Sequence, residues 1–417
     1  MEKIRNAEII CVGTELLLGD IINTNASYMS QKLASLGIPV FRQTVVGDNP
    51  ERLKSAIADA FSRADAVFFS GGLGPTCDDL TKETVADYFG LPMYLDTHSL
   101  DRIKKYFNDI CRKMPHNNEK QAMIPEGAVI FDNNYGTAPA IAVVHGGKTA
   151  VLLPGPPSEL EKIWPEKVEP YLLPRTDCII VSHNLHIMNM GESTVEEKLR
   201  ELMLTSANPT IAPYAKEGEV RLRVSARAAT REIADKMCFG MIDTVLATEV
   251  GQYVYGIDVG TVENALIGVL REKGMTVSAA ESCTGGYIAK RITDIPGCSD
   301  VFTGSCVTYS NEAKMKLLGV SAQTLDTYGA VSGQTAAEMA KGVRLALGTD
   351  VGLAATGIAG PGGGTADTPV GTVFIAVSTK DGERVEKLSH SPLRTREFIR
   401  YCSSSKVMNM AIGIIKG

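Results

Sequence analysis

The chain has no long apolar run, no surplus of positive charge, few aromatics and little histidine. Without a run approaching twenty apolar residues, no helix is expected to span a membrane. Met1-Glu2-Lys3-Ile4-Arg5 leads straight into an expected strand at Ala7–Val12, so no signal peptide is expected either. A formal net charge of −6 argues against a general nucleic-acid surface, and aromatics amount to only 6%. Nine cysteines without a CxxC spacing read as reduced thiols in a cytoplasmic protein. Cys77, Cys283 and Cys306 fall near candidate sites, but each reads as a small apolar filler. Neither a 20–50-residue period nor a low-complexity tract is visible.

What is present is the pattern of a multidomain α/β protein. A length of 417 residues exceeds one core and predicts two or three domains. Up to about Leu173, strands at Ala7–Val12, Val40–Val45, Ala66–Ser70, Ala140–His145 and Thr149–Leu153 alternate with helices near Asn25–Leu36, Arg52–Arg63 and Leu80–Phe89. That alternation predicts a parallel sheet covered on both faces, with ligands at the carboxyl ends of its strands. After Pro174 the pattern changes to a small α+β module: strand Cys178–Ile187, helix Gly191–Leu204, strand Val220–Ala228 and helix Thr230–Ala247. Val220, Leu222, Val224 and Ala226 alternate with Arg221, Arg223, Ser225 and Arg227, as in a half-buried strand whose arginines face solvent. A third α/β region has strands at Met275–Ala280, Ser305–Tyr309, Val351–Ala355 and Gly371–Val377 and a last helix over Arg394–Ile415. The expected boundaries are 1–173, 174–257 and 258–417.

The most informative run is Ala280-Glu281-Ser282-Cys283-Thr284-Gly285-Gly286. Between a buried strand and a helix starting at Tyr287, Ser282 occupies a sharp turn, and Gly285 and Gly286 leave backbone N–H groups open to a ligand. A serine nucleophile needs a base, and the nearest histidines are the distant His186 and His390. Lys314 is the substitute. Asn311 is expected to cap a helix over Glu312–Leu318, which puts Lys314 in a first turn, where positive charge is disfavoured and the lysine pKa falls. Tyr309 either hydrogen-bonds Ser282 or Lys314, or packs.

Two further loops follow strands near the N-terminus. The first contains Gly13-Thr14-Glu15 with Gly19-Asp20 and Asn23-Thr24-Asn25, the second Gly71-Gly72-Leu73-Gly74-Pro75-Thr76 followed by Asp78 and Asp79. Gly71, Gly72 and Gly74 would let N–H groups approach a phosphate, and Thr76 adds a hydroxyl. Asp78 and Asp79 offer hard oxygen ligands to a divalent cation, with Glu15 and Asp48 as further candidates. One of the two aspartates is expected to cap the helix near Leu80.

The blocks AAESCTGGYIAKRITDIPGCS, VTYSNEAKMKLLGV, YGAVSGQTAAEMA, ATGIAGPGGGT and PVGTVFIAV resemble the C-terminal domain of the competence/damage-inducible CinA family, shared with stand-alone nicotinamide mononucleotide deamidases. GTELLLGDIINTNASYMSQKLASLGI and SGGLGPTCDDLTKETVADYFG resemble the MoaB/MogA-like other half of that family, and the middle module resembles its KH-like domain. The resemblance implies a cytoplasmic enzyme of pyridine-nucleotide salvage. Ser282 attacks the carboxamide, Lys314 acts as base, and Tyr309 and Thr284 assist, with Thr284 and the Gly285–Gly286 N–H groups as oxyanion donors. Thr356, Gly357 and Gly360 of the loop after the third strand would hold the ribose phosphate or ring. Arg396 and Arg400 would clamp the phosphate, with Arg394 as a competing choice. For the N-terminal domain it implies a divalent-metal-dependent ADP-ribose pyrophosphatase at Gly71, Gly72, Gly74, Thr76, Asp78 and Asp79. Leu73-Gly74-Pro75-Thr76 departs from the molybdopterin-binding form of that loop. The deamidase site needs no cofactor, and the expected partners are nucleotides and a second copy of the chain in a homodimer. Two alternatives stay open: a deamidase with a non-catalytic nucleotide-binding N-terminal domain, or a non-catalytic competence or damage-response adaptor.

Overall fold

The computed structural model describes residues 3–417. They form two compact units: residues up to Val181 with Ala226–Lys236, and Ser182–Ser225 with Met237–Gly417. Among the described residues no helix is long and apolar enough to cross a membrane.

The first unit is built on a six-stranded sheet in the order Val40–Val46, Ala7–Val12, Ala66–Ser70, Lys148–Leu153, Ala140–His145, Val129–Phe131. Its first four strands are parallel. Ala7–Val12 and Ala66–Ser70 are buried along their whole length, as expected where helices cover both faces of a sheet. The last two strands are antiparallel, because the two-residue turn Gly146-Gly147 reverses the chain between His145 and Lys148. The sheet is therefore mixed at one edge. Helices Thr24–Ser35 and Pro50–Phe61 start on Asn23 and Asn49, whose side chains accept the N–H groups of Ala26 and Arg52. Helix Thr97–Asp109 and the 3₁₀ segment His116–Ala122 lie in a stretch for which the sequence predicted no element.

A four-stranded sheet runs Thr210–Lys216, Glu219–Ala228, Ile179–Ile187, Val254–Ile257. Val220, Leu222, Val224 and Ala226 are buried, and Arg223 and Arg227 are exposed, so the alternation read from the sequence fixes which face is inward. The guanidinium groups of Arg221 and Arg223 stand 5.5 and 4.9 Å from the Tyr214 ring centre.

The second unit also contains a five-stranded sheet, Phe302–Val307, Val277–Glu281, Val351–Gly357, Thr372–Thr379, Gly382–Ser389. Its first three strands are parallel and the rest antiparallel. The last helix, Arg396–Lys416, starts two residues later than expected, where the Thr395 hydroxyl accepts the Phe398 N–H. One buried ion pair locks this unit. Arg291, 5% exposed, donates Nε to Glu263 at 2.5 Å and Nη1 to the Tyr401 carbonyl and the Ser404 and Ser405 hydroxyls. It thereby joins the helix Tyr287–Thr293 to the helices Val262–Lys273 and Arg396–Lys416.

Removing one partner strands a charge in a dry environment, whereas removing both does not. Glu263→Ala should lower unfolding stability by about 3 kcal/mol or more, read as a fall in the urea midpoint. Glu263→Met with Arg291→Met should cost less than either single change.

Candidate active sites

At the carboxyl end of strand Val277–Glu281 the chain turns sharply. The Ser282 N–H donates to the Ala355 carbonyl, and the Gly285 N–H closes back on the Ser282 carbonyl at 3.1 Å. Gly285 and Gly286 have φ of 58° and 91°, left-handed values that a side chain would strain, and helix Tyr287–Thr293 starts directly after them. Glu281 is fully buried. Its carboxylate accepts the N–H groups of Ile288 and Ala289 at 3.0 and 2.9 Å and the Ser305 hydroxyl at 3.2 Å. A carboxylate suits a helix N-terminus, so Glu281 pins the helix to the strand and fixes the turn between them. Sequence reasoning passed over this residue. Its signal was an acid ending an otherwise apolar strand.

Lys314 Nζ lies 3.1 Å from Ser282 Oγ and donates to the Thr308 carbonyl at 2.8 Å. Its helix is Asn311–Leu318, and the cap is Ser310, which accepts the Ala313 N–H, not Asn311 as the sequence suggested. The side chain is 1% exposed. Burial, which penalises the ammonium form, holds its pKa below the usual lysine range. The main cause is desolvation, in place of the helix terminus invoked from sequence. Cys283 beside the nucleophile is buried, and burial pushes its thiol up to about 12, so it stays protonated at neutral pH.

Around this pair the predicted residues divide. Thr284 is fully buried, its hydroxyl has no hydrogen-bond partner, and its carbonyl accepts Arg400 Nη2 at 2.6 Å and Nε at 3.1 Å. The Gly285 N–H is spent within the turn and the Thr284 hydroxyl is sealed from solvent, whereas the half-buried Gly286 N–H makes no backbone bond there. Arg396 donates to the Gly360 carbonyl at 2.9 Å and to the Tyr309 hydroxyl at 3.4 Å, so both arginines of the pair reach the site. Arg394 instead covers the Phe398 ring at 4.5 Å. Tyr309 is 66% exposed and its hydroxyl meets Arg396, not Ser282 or Lys314, because the strand ends at Val307 and the tyrosine projects from the loop beyond it. Thr356 is buried with its hydroxyl on the Ala330 carbonyl at 2.7 Å. Gly357 packs where a Cβ would stand 2.6 Å from the Thr372 carbonyl oxygen of the neighbouring strand.

The second site is a cavity of about 640 Å³ in the first unit. Gly71 and Gly72 have positive φ, and a Cβ on them would stand 2.2 Å from the Val12 carbonyl oxygen and 2.0 Å from Thr81 Oγ1. Five carboxylates line the cavity, those of Glu15, Asp48, Asp78, Asp79 and Glu159, with no lysine or arginine. Asp48 accepts the N–H and hydroxyl of Thr14 at 2.9 and 2.7 Å. Asp79 accepts the N–H and hydroxyl of Thr76 at 2.9 and 2.6 Å, bracing the glycine loop. Neither aspartate caps the helix Thr81–Phe89, whose cap residue Leu80 contributes no side-chain bond. Asp78 is exposed. Among the described residues no group of three or more His, Cys, Asp or Glu side chains is placed to hold a metal ion by itself. A hard cation here would take one or two carboxylates and complete its shell with phosphate oxygens. Asn25, from the first loop read in the sequence, and Lys82, which the sequence reading did not single out, matter here. Asn25 donates to Ser70 Oγ and the Gly155 carbonyl at 2.7 and 2.6 Å and keeps a buried, unpartnered carbonyl oxygen. Lys82, its pKa lowered to about 8 by burial, donates to the carbonyls of Lys120, Gln121 and Met123, and Gln121 lines the cavity.

Three families match in succession: a probable molybdopterin binding domain at residues 8–174, the damage-inducible protein CinA KH domain at 182–256, and the CinA C-terminal domain at 260–415. A CinA-like protein of Kosmotoga olearia is 49% identical over 382 residues, covering 92% of each chain. The chain belongs to the CinA family. A putative competence-damage inducible protein of Caldicellulosiruptor bescii is 48% identical over 404 residues, covering 97% of this chain and 98% of its own. Among solved structures, the competence/damage inducible protein CihA of Agrobacterium tumefaciens is 39% identical, covers 38% of this chain and 96% of its own, and has a TM-score of 0.37. The protein CinA of Thermoplasma acidophilum is 35% identical, covers 40% and 97%, and has a TM-score of 0.38. The three-domain order of this CinA member is thus a MoaB/MogA-like domain, a KH domain and a CinA C-terminal domain.

A buried lysine with a lowered pKa costs stability while it is protonated. Between that lowered value and the ordinary lysine value of 10.5, the unfolded chain binds more protons than the folded one, so this penalty is relieved as pH rises through the window. Lys314→Met should therefore raise the melting temperature at pH 7 by the equivalent of about 1 kcal/mol, and the gain should shrink towards pH 10. A lower melting temperature at pH 7 would mean that the bonds to Thr308 and Ser282 outweigh the desolvation.

Proposed function

We propose that the C-terminal site hydrolyses the carboxamide of nicotinamide mononucleotide to nicotinate mononucleotide and ammonia. The observation that carries this reading is the 3.1 Å contact between Ser282 Oγ and a buried Lys314 Nζ. Neutral Lys314 takes the Ser282 proton as Oγ attacks the carboxamide carbon, and the Thr308 carbonyl, by accepting one N–H, aims the nitrogen lone pair. The oxyanion is met by the Gly286 N–H of the glycine turn. When the C–N bond breaks, Lys314 returns the proton to the departing ammonia. Water then gives a proton to Lys314 and cleaves the ester, restoring Ser282. The positive pyridinium ring of the substrate further disfavours a charged lysine, which helps to keep the base neutral. Arg396 and Arg400 supply two cations for the phosphate, and the exposed Tyr309 offers a ring edge beside Arg396.

For the N-terminal cavity we propose divalent-metal-dependent cleavage of ADP-ribose to AMP and ribose 5-phosphate. Five lining carboxylates, with only Lys120 held on the loop through the Thr76 carbonyl at 2.9 Å, would repel a pyrophosphate unless a divalent ion came with it. Asp78 and Asp79 would hold that ion, which when bound neutralises the pyrophosphate and polarises its bridging bond. The chain's own part is the Gly71–Gly74 loop, kept open by the Thr76–Asp79 bonds so that phosphate oxygens can approach the backbone.

Two outcomes test these readings. Ser282→Ala should lower ammonia release from nicotinamide mononucleotide by at least a thousandfold, and Cys283→Ala should leave it within a few-fold. A dead, folded Cys283→Ala would move the nucleophile to the thiol. The rate should climb with pH as the lowered lysine pKa is passed, and Lys314→Arg should be inactive because guanidinium does not deprotonate.

Asp78→Asn with Asp79→Asn should abolish chelator-sensitive AMP formation from ADP-ribose in the full chain and leave deamidation unchanged. Hydrolysis that survives chelator or the double change would reject the metal assignment.

A further inference from the structure

Lys82, the second residue of helix Thr81–Phe89, is 2% exposed. Its Nζ donates to the carbonyls of Gln121, Met123 and Lys120 at 2.7, 2.9 and 3.2 Å. No neutral side chain carries three donors on one atom, and a buried ammonium is tolerated only when its donors are occupied. The lysine thus joins the helix to a segment 38 to 41 residues further along the chain, where the 3₁₀ turn His116–Ala122 runs into the strand Met123–Pro125.

The same segment reaches the glycine loop of the acidic cavity. Lys120 Nζ donates to the Thr76 carbonyl at 2.9 Å, and Gln121, 2% exposed and lining the cavity, donates to the Leu73 carbonyl at 3.4 Å. Asn118 donates to Gln121 Oε1 at 2.9 Å, which fixes how that amide is turned. The first two carbonyls of the loop, those of Gly71 and Gly72, accept the hydroxyl and N–H of Thr81 at 3.0 and 3.1 Å. Lys82 follows Thr81 directly. One helix start therefore holds the loop twice, through Thr81 at the beginning of the loop and through Lys82 and the segment 120–123 further on. The other charges that act on the ammonium are Glu83, Lys120 and Asp79, and Glu83 lies 3.9 Å from Lys120.

We infer that Lys82 is a positioning residue of the acidic cavity: by gathering three carbonyls it sets Lys120 and Gln121 on the glycine loop, and so holds Thr76 and Asp79 in place for a phosphate and its cation. Its hold on the loop is independent of what the cavity binds, while the benefit to a phosphate rests on the pyrophosphate reading. The full set of bonds needs the ammonium. A neutral amine has two N–H groups for three carbonyls, and burial brings the pKa of this lysine down to about 8, so one bond is lost as pH rises above that value.

Amide hydrogen exchange and magnesium-dependent ADP binding in the full chain test this, with wild type, Lys82→Met and Lys82→Arg side by side. Lys82→Met should speed exchange at least tenfold in the segments 72–81 and 116–123 and leave that of helix Thr24–Ser35 within twofold. A guanidinium has donors enough for the three carbonyls, so Lys82→Arg should return both segments to within threefold of wild type. The magnesium needed for half-maximal ADP binding at pH 7 should rise at least tenfold in Lys82→Met. Between pH 7 and pH 9 it should rise at least threefold in wild type and stay level in Lys82→Arg. Unchanged exchange in Lys82→Met would overturn the inference. So would exchange that quickens across the whole first unit, because the lysine would then merely support the fold. If wild type binds no ADP with magnesium, the pyrophosphate reading falls, and the exchange pattern alone decides the role of Lys82.

Discussion

The carboxylate of Glu281 is the constraint on which the C-terminal site depends. A buried ionisable group survives only if its oxygens are occupied, and here they are taken by two N–H groups of the next helix and by Ser305. Because these partners lie on two separate segments, Glu281 fixes where the helix Tyr287–Thr293 starts relative to its strand, and so where Ser282 points. Arg400 braces the same turn from the other side through the Thr284 carbonyl. Lys314 is then held by a carbonyl one residue beyond the neighbouring strand, Thr308, whose own N–H donates to the Glu281 backbone. Nucleophile and base are thus set by backbone positions, the most rigid supports a fold offers.

On the proposed readings, the two candidate sites would receive anionic ligands by opposite electrostatics. In the C-terminal domain the protein brings its own cations, Arg396 and Arg400, and buries a lysine that must lose its charge to act. The charged side chains that line the N-terminal cavity are all carboxylates, so on the proposed reading an anionic nucleotide would enter together with a cation. Both sites open where a strand runs into a glycine pair with left-handed dihedral angles, at Gly71–Gly72 and Gly285–Gly286. The carboxyl ends of parallel strands are where a chain can turn sharply without losing ladder bonds.

Much of this architecture is legible in the sequence because it depends on local signals. Alternation at Val220–Ala226 sets the inward face of one sheet, and apolar runs such as Ala66–Ser70 mark strands buried on both faces. Ser282 and Lys314 stand thirty-two residues apart, yet a glycine-pair turn and a helix start suffice to suggest that they meet. What stayed hidden depends on partners distant along the chain. Glu281 cannot be seen as a pin without Ile288 and Ser305, nor Asp79 as a brace without the curl of the Thr76 loop. Two adjacent capping residues, Ser310 and Asn311, are near equals in propensity, and only the backbone decides between them. The destination of Tyr309 was set by the end of a strand, where pattern is least informative.

The burial of Cys283 bears on how such a site meets oxidative stress. Peroxides and electrophiles attack thiolates, and they must reach the sulfur to do so. Next to the candidate nucleophile the chain keeps a sulfur that is both enclosed and protonated, with its acidity suppressed to about 12. A serine nucleophile has no sulfenic state to enter, and its neighbour is shielded from forming one. Reagents that silence cysteine hydrolases would find no target at this turn, so nucleotide turnover here would continue under conditions in which thiol-dependent enzymes stall.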